Sequence, residues 1–185
     1  MVESRQSFFW RYPTLQTIEA FYEEVKPFVA MYNTWLKDMR AFSLPIAIVP
    51  DHICYKCSSS EEFEHMRQFF EKDRTYMYQS FISGRRVAII KLPHNIGTHL
   101  NYIRYLELSD QKPDGSQVSG FDHIEIYPDV GTVESLVQEL SKNNAHFQIR
   151  NRTHHTTYDT TLEGGLKIRI ERECLIEKIK REEMR

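Results

Sequence analysis

Two histidines and two glutamates recur at matching places along the chain. His52 and His123 each stand in an Asp-His-Ile tripeptide, and Glu107 and Glu171 follow them by 55 and 48 residues. Imidazole nitrogens and carboxylate oxygens are ligands that borderline divalent metals favour, among them Zn, Ni, Mn, Co and Fe(II). If the four side chains converge, they suffer desolvation and carboxylate repulsion unless a cation joins them. The sequence therefore predicts a site for one divalent metal ion.

These candidates lie in segments with the two-residue alternation of β-strands. Alternate side chains point to one face of a strand, so His52 shares a face with Cys54 and opposes Ile53. The segments that carry the other three candidates also alternate polar with apolar residues. A sheet of this kind is ordinarily packed on one face and solvated on the other. In that alternative interpretation the acids and histidines form a polar face and pair with Lys167 and Arg169.

The elements around the candidates form an internal repeat, and its two Asp-His-Ile tripeptides begin 71 residues apart, at Asp51 and Asp122. Each copy reads as a strand, a helix and three further strands, and the copies span residues 45–109 and 120–185 with a polar linker between them. Neither copy can enclose a core alone. We expect an α+β fold in which two paired βαβββ modules form a curved mixed sheet around a metal pocket.

The repeat is preceded by a helical segment, residues 1–44. Apolar residues recur at helical spacing from Pro13 to about Ala41. Pro27 interrupts the series, which predicts two helices with Pro27 near the start of the second. Their apolar faces need a partner surface, so we expect a helical extension that docks on the modules.

The composition excludes several classes of protein. The 185 residues carry a net charge of −2, and the basic residues are scattered among acids, which disfavours nucleic acid as a partner. No window approaches the ~18 apolar residues that cross a membrane, and no signal peptide is visible. Three cysteines are too few for a disulfide framework, and the sulfurs of Cys54 and Cys57 should point to opposite faces of a strand. We expect a cytoplasmic protein, either a monomer or a homodimer.

The repeat resembles the vicinal oxygen chelate superfamily, which includes glyoxalase I, extradiol dioxygenases and fosfomycin-resistance proteins. More closely, the segments DHICYKC, SGRRVAIIKL, GFDHIEIYP and KIRIERECLIEKI are similar to the bacterial YecM family, over about residues 45–179. The resemblance implies a metal-centred pocket in which His52, His123 and Glu171 are ligands and Glu107 is a fourth.

The resemblance leaves two ligand sets and two kinds of function open. With Glu107 the set resembles that of glyoxalase I, and without it the set resembles the two-histidine, one-carboxylate set of extradiol dioxygenases. We predict a metalloenzyme that acts on a small molecule as an isomerase, lyase or oxidoreductase, with Glu171 as a catalytic carboxylate. The alternative is a binding module of the same fold that holds a small molecule or a metal without turnover.

Overall fold

The computed structural model describes residues 17–72, 76–82, 84–151 and 156–183. The helices are α1 (Ile18–Asp38), α2 (Ser60–Lys72), α3 (Val133–Ser141) and α4 (Leu175–Glu183). The strands are β1 (Ile48–Lys56), β2 (Tyr76–Ile82), β3 (Arg85–Gly97), β4 (Tyr102–Ser109), β5 (Gly120–Pro128), β6 (Gln148–Asn151), β7 (Thr156–Thr161) and β8 (Lys167–Ile170). Residues 48–109 and 120–170 each contain one strand, one helix and three strands, which confirms the predicted repeat.

The eight strands form one mixed sheet in the order β2-β3-β4-β1-β5-β8-β7-β6. Within each module the first strand pairs parallel with the last, β1 with β4 and β5 with β8. The modules meet where β1 pairs antiparallel with β5. Among the described strands β2 and β6 have one neighbour each, so the sheet is open at both ends. The predicted α+β fold of two paired modules is confirmed.

The apolar positions of the central strands face the helices and form the core. Ile53, Ile124 and Ile168 are fully buried there. Two of the helices begin at a hydroxyl cap: the side chain of Ser59 accepts from the backbone N–H of Glu62 in α2, and Thr132 caps α3 in the same way. No helix in the described part of the chain is long and apolar enough to cross a membrane.

The helix that precedes the repeat differs from the prediction. It is one helix, α1, and Pro27 lies inside it. A proline in a helix interior costs about 3 kcal/mol, yet the buried residues before and after it, such as Val25 and Val29, form one continuous apolar face against the core. Burial of that face offsets the cost of the proline. The predicted helical start at Pro13 lies outside the described residues.

Packing of α1 against the rest of the chain predicts that it is part of one cooperative unit. Phe21 is fully buried, and its ring contacts the rings of Phe70 in α2 and Phe121 in β5. We expect Phe21→Ala to lower the free energy of unfolding by about 3–5 kcal/mol, because it leaves a cavity between α1 and the sheet. Urea denaturation measures the change. The matched control is Phe42→Ala, since Phe42 is 56% exposed; equal losses in the two variants would contradict the docking.

Candidate metal centre

Three of the four predicted ligands lie on three neighbouring strands at the centre of the sheet. Glu107 is on β4, His52 on β1 and His123 on β5, and Cys54 of β1 is the register partner of both Glu107 and His123. One donor atom from each of His52, Glu107 and His123 lies within 4.8 Å of the other two. Pairing of adjacent strands, rather than closure of the sheet across a concavity, brings them together.

Each histidine follows an aspartate that occupies a β-bulge. In the pairing of β1 with β5, Asp51 has no partner between Pro50 and His52, and Asp122 has none between Phe121 and His123. An extra residue in one strand bends the backbone and redirects side chains. As a result Asp51 Oδ2 lies 2.8 Å from Nδ1 of His52, and Asp122 Oδ2 lies 2.9 Å from Nδ1 of His123.

These contacts determine which ring nitrogen carries the hydrogen. A carboxylate can only accept, so Nδ1 is the donor in both histidines. A carboxylate that accepts from the second ring nitrogen is the ordinary support of a metal-bound histidine, since it fixes the tautomer and the ring orientation. In both halves of the repeat Nε2 is therefore the ring nitrogen that is left for a metal.

The Nε2 atom of His52 is buried and has no hydrogen-bond partner among the described residues. Its nearest acid is Glu107, whose Oε2 lies 3.6 Å away, beyond hydrogen-bond length. Ligand atoms at ~2.1 Å from a common ion are at most ~4.2 Å apart, so a contraction of well under about 1 Å would close the set. The unpartnered nitrogen, the second imidazole and the carboxylate fit a divalent metal ion.

The Nε2 atom of His123 has a partner in the described chain. Arg169 Nη1 lies 3.0 Å from it and must be the donor, because a guanidinium cannot accept. The same guanidinium donates to Asp159 through Nε at 3.1 Å and through Nη2 at 3.3 Å. Binding of a metal at His123 therefore requires the Nη1 group to leave that nitrogen.

The charges around the site favour a cation at His52. Burial would lower the pKa of His52, but the charge of Glu125 and the side-chain contacts with Asp51 and Glu107 raise it well above its ordinary value. Burial would raise the pKa of Glu107, but its contact with His52 holds that pKa well below the usual range. The position that Nε2 of His52 faces is thus one where the protein stabilises positive charge.

His123 has the opposite environment. Burial, and then the charge of Arg169, lower the pKa of His123 to about 4. The ring is therefore neutral near neutral pH, which is the form that binds metals. The two imidazoles of the repeat differ in charge because the carboxylate of Glu107 lies near His52, whereas the guanidinium of Arg169 lies beside His123.

A second group of donor atoms adjoins the first. Asp51, His52 and Glu125 also place one donor atom each within 4.8 Å of one another, and Oε1 of Glu125 lies 3.8 Å from His52 Nδ1. Burial raises the pKa of Glu125 to about 7, against the attraction of His52 and with a contribution from the charge of Glu171. Glu125 is therefore a carboxyl group that can hold a proton near neutral pH.

Cys54 also belongs to the site, because its thiol donates to Oε1 of Glu107 at 3.2 Å. Burial and the charge of Glu107 raise the pKa of Cys54 well above its ordinary value, so the sulfur stays protonated. Cys54 and Cys57 are both buried free cysteines, and the thiol of Cys54 orients the carboxylate of Glu107.

The fourth predicted ligand, Glu171, lies directly after β8. Its N–H donates to the carbonyl of Ile126, and its Oε1 lies 3.7 Å from Nζ of Lys178 in α4. Neither group of mutually close donor atoms found in the described residues includes it, although its charge reaches Glu125. Its role as ligand and as catalytic carboxylate stays a prediction.

The strand register corrects the repeat equivalence on which the choice of Glu171 was based. Glu107 is the partner of Cys54, two residues after His52. The corresponding pair in the second module is Glu125 with Arg169, two residues after His123. The residue that occupies the place of Glu107 in the second module is therefore Arg169, and this explains why its guanidinium reaches His123.

Sequence reasoning assigned no place in the metal site to four of its contributors, although the alternative interpretation did pair Arg169 with the acids and histidines. The aspartates of the two Asp-His-Ile tripeptides were part of the repeated motif, so their recurrence was an available signal. Glu125 and Arg169 are among the polar residues that alternate along their strands, and only the strand register shows that they lie beside the histidines. The four are Asp51, Asp122, Glu125 and Arg169.

The fold and this centre define the class: a two-module α+β protein with a candidate divalent-metal site at the junction of its modules. The chain belongs to the YecM family, because the family model described as YecM protein matches residues 18–182. That match confirms the closer of the two predicted resemblances.

Comparison with solved structures supports the fold. Five chains match, among them one described as "Structural Genomics, Protein EC4020", with a TM-score of 0.67 and 18% sequence identity over 86% of this chain and 89% of that chain. At this identity the likeness shows the fold alone. No curated protein matches the chain.

The buried ion pair beside the site generates a stability prediction. The side chains of Arg169 and Asp159 are 16% and 10% exposed. Asp159→Ala leaves a guanidinium without its main acceptor, so we expect a loss of about 3 kcal/mol in the free energy of unfolding, measured with urea. The matched control is Glu23→Ala, which breaks an exposed pair with Lys26 on α1 and should cost less than about 1 kcal/mol. Similar losses would contradict a structural role for the buried pair.

Proposed function

We propose that this chain is a divalent-metal-dependent protein of the vicinal oxygen chelate type, and that it is a metalloenzyme acting on a small molecule. The ligands that we assign are His52, His123 and Glu107, with Glu171 as the predicted fourth. The observation that carries the proposal is the buried, unpartnered Nε2 of His52, which faces a carboxylate and lies beside a second imidazole.

The residues of the chain have distinct roles in this proposal. Asp51 and Asp122 keep the hydrogen of each imidazole on Nδ1, so that each Nε2 can bind. Cys54 holds one oxygen of Glu107 and leaves the other toward His52. A bound cation would supply Lewis acidity toward the oxygens of a substrate, as in isomerase, lyase or dioxygenase chemistry.

Two carboxyl groups are available for proton transfer. Glu171 is the predicted base, and its side chain is 8% exposed. Glu125 is adjacent to His52 and, with a pKa raised by burial to about 7, can take up or release a proton near neutral pH. Glu125 supports the enzymatic function over the binding module, because a buried carboxyl with such a pKa beside a metal site suits general acid–base work.

The metal assignment predicts that both histidines are required for metal content. We expect His52→Ala and His123→Ala to abolish metal in purified protein, measured by elemental analysis, because each removes one of the three close donors. His146→Ala is the control, since His146 is exposed and remote in sequence from the site. In the unsubstituted protein added cation should raise the melting temperature and a chelator should lower it. Unchanged metal content in both histidine variants would refute the assignment.

The two glutamates give a second prediction, which separates the ligand sets. We expect Glu107→Gln to weaken metal binding by more than about 100-fold, because an amide replaces the carboxylate that lies between the imidazoles and Cys54. Glu171→Gln should weaken it much less and should instead lower turnover. Competitive titration with a metallochromic chelator measures both affinities. If Glu171→Gln weakens metal binding more than Glu107→Gln does, the result favours the set of two histidines and one carboxylate that lacks Glu107.

A further inference from the structure

Arg169 places a positive charge at a nitrogen that the proposed function assigns to the metal. Its Nη1 lies 3.0 Å from Nε2 of His123. One lone pair cannot serve both a metal ion and an N–H donor, so Nη1 loses its acceptor when metal binds. A buried donor without a partner costs about 1–3 kcal/mol. The guanidinium therefore needs a new acceptor beside the ion.

The protein fixes the guanidinium in this place. Asp159 accepts from Nε and Nη2, and the hydroxyl of Thr157, which is fully buried, donates to Asp159. With two of its three nitrogens held, Arg169 cannot turn away from the site without breaking a buried ion pair. Its Nη1 therefore remains near the metal position.

The nearby carboxylates of Glu107 and Glu125 are held close to His52. Glu107 accepts from Cys54 with one oxygen and faces His52 with the other, and Oε1 of Glu125 lies 3.8 Å from His52. An oxygen atom of a ligand bound beside the ion would give Nη1 an acceptor in place of His123. A guanidinium binds carboxylates and other oxyanions most strongly.

Two lysines add positive charge on the same side of the site. Nζ of Lys56 and Nζ of Lys167 each lie 2.7 Å from Oδ1 of Asp122, and their side chains are 24% and 36% exposed. Two ammonium groups share one carboxylate, which also accepts from His123. The two ammonium groups and the one carboxylate together carry one net positive charge, which favours an anion next to them.

We propose that the site takes a small oxyanion, such as a carboxylate, that places one oxygen on the metal ion and another on Nη1 of Arg169. The inference depends on the proposed function and names the class of its ligand. Arg169 is then the residue that selects anionic chelating ligands over others.

The test compares two chelating probes. Oxalate can offer a second carboxylate to Arg169, whereas acetohydroxamate binds a metal through two oxygens without one. Calorimetry measures both probes with unsubstituted protein and Arg169→Met, in metal-loaded and metal-stripped forms. We expect Arg169→Met to weaken the binding of oxalate by about tenfold or more and the binding of acetohydroxamate by less than about threefold. The control is Arg150→Met on β6, since Arg150 is exposed and should leave both affinities unchanged.

Each outcome bears on the inference. Equal oxalate affinity in Arg169→Met and unsubstituted protein overturns it. Equal weakening of both probes by Arg169→Met also overturns it. So does a failure of oxalate to bind the unsubstituted protein in either the metal-loaded or the metal-stripped form. If Arg169→Met fails to fold, Arg169→Lys keeps the charge without the forked geometry, and its oxalate affinity should fall several-fold; an unchanged value overturns the inference. Absence of metal from the unsubstituted protein overturns the proposed function and this inference with it, whereas metal binding without an Arg169-dependent preference for oxalate overturns the inference alone.

Discussion

The site depends on two β-bulges, one in each central strand. Neighbouring residues of a regular strand point to opposite faces, so an Asp-His dipeptide could not form the contacts seen here. The extra residues Asp51 and Asp122 turn toward the histidines that follow them and accept from Nδ1. The antiparallel pairing of β1 with β5 then sets the two imidazoles side by side, with ring centroids 5.8 Å apart. Local backbone geometry thus determines both the tautomer and the meeting of the rings.

The Asp-His-Ile tripeptide combines three tasks, and this is why its recurrence carried so much information. The isoleucines, Ile53 and Ile124, are fully buried in the core, the histidines face the site, and the aspartates occupy the bulges. Its repetition, with the change from helical to alternating period, was enough to predict the order of the elements and the pairing of two modules. The fold was predictable because each local pattern agrees with the whole.

Register and long-range packing could not be predicted from the same patterns. The separations of 55 and 48 residues between histidine and glutamate include hairpins of unequal length, so they cannot specify which residues face each other. Hydrogen-bonded pairing places Arg169, not Glu171, opposite Glu125. Regular alternation would place Asp51 on the face opposite His52, because a bulge leaves no mark in a polar-apolar pattern. The prediction of a helix boundary at Pro27 was wrong for a related reason: burial of the apolar residues before and after it outweighs the local tendency of proline to interrupt a helix.

The replacement of an acid by arginine at one repeat position makes the two halves complementary rather than equivalent. In the first half Glu107 contributes negative charge, and its contact with His52 keeps the pKa of its carboxyl low. In the second half Arg169 contributes positive charge and, after burial, lowers the pKa of His123. A symmetric site with two carboxylates would neutralise a divalent cation with protein groups alone. With Arg169 in place of a second carboxylate at this repeat position, a divalent cation there would keep positive charge that an anionic ligand could balance.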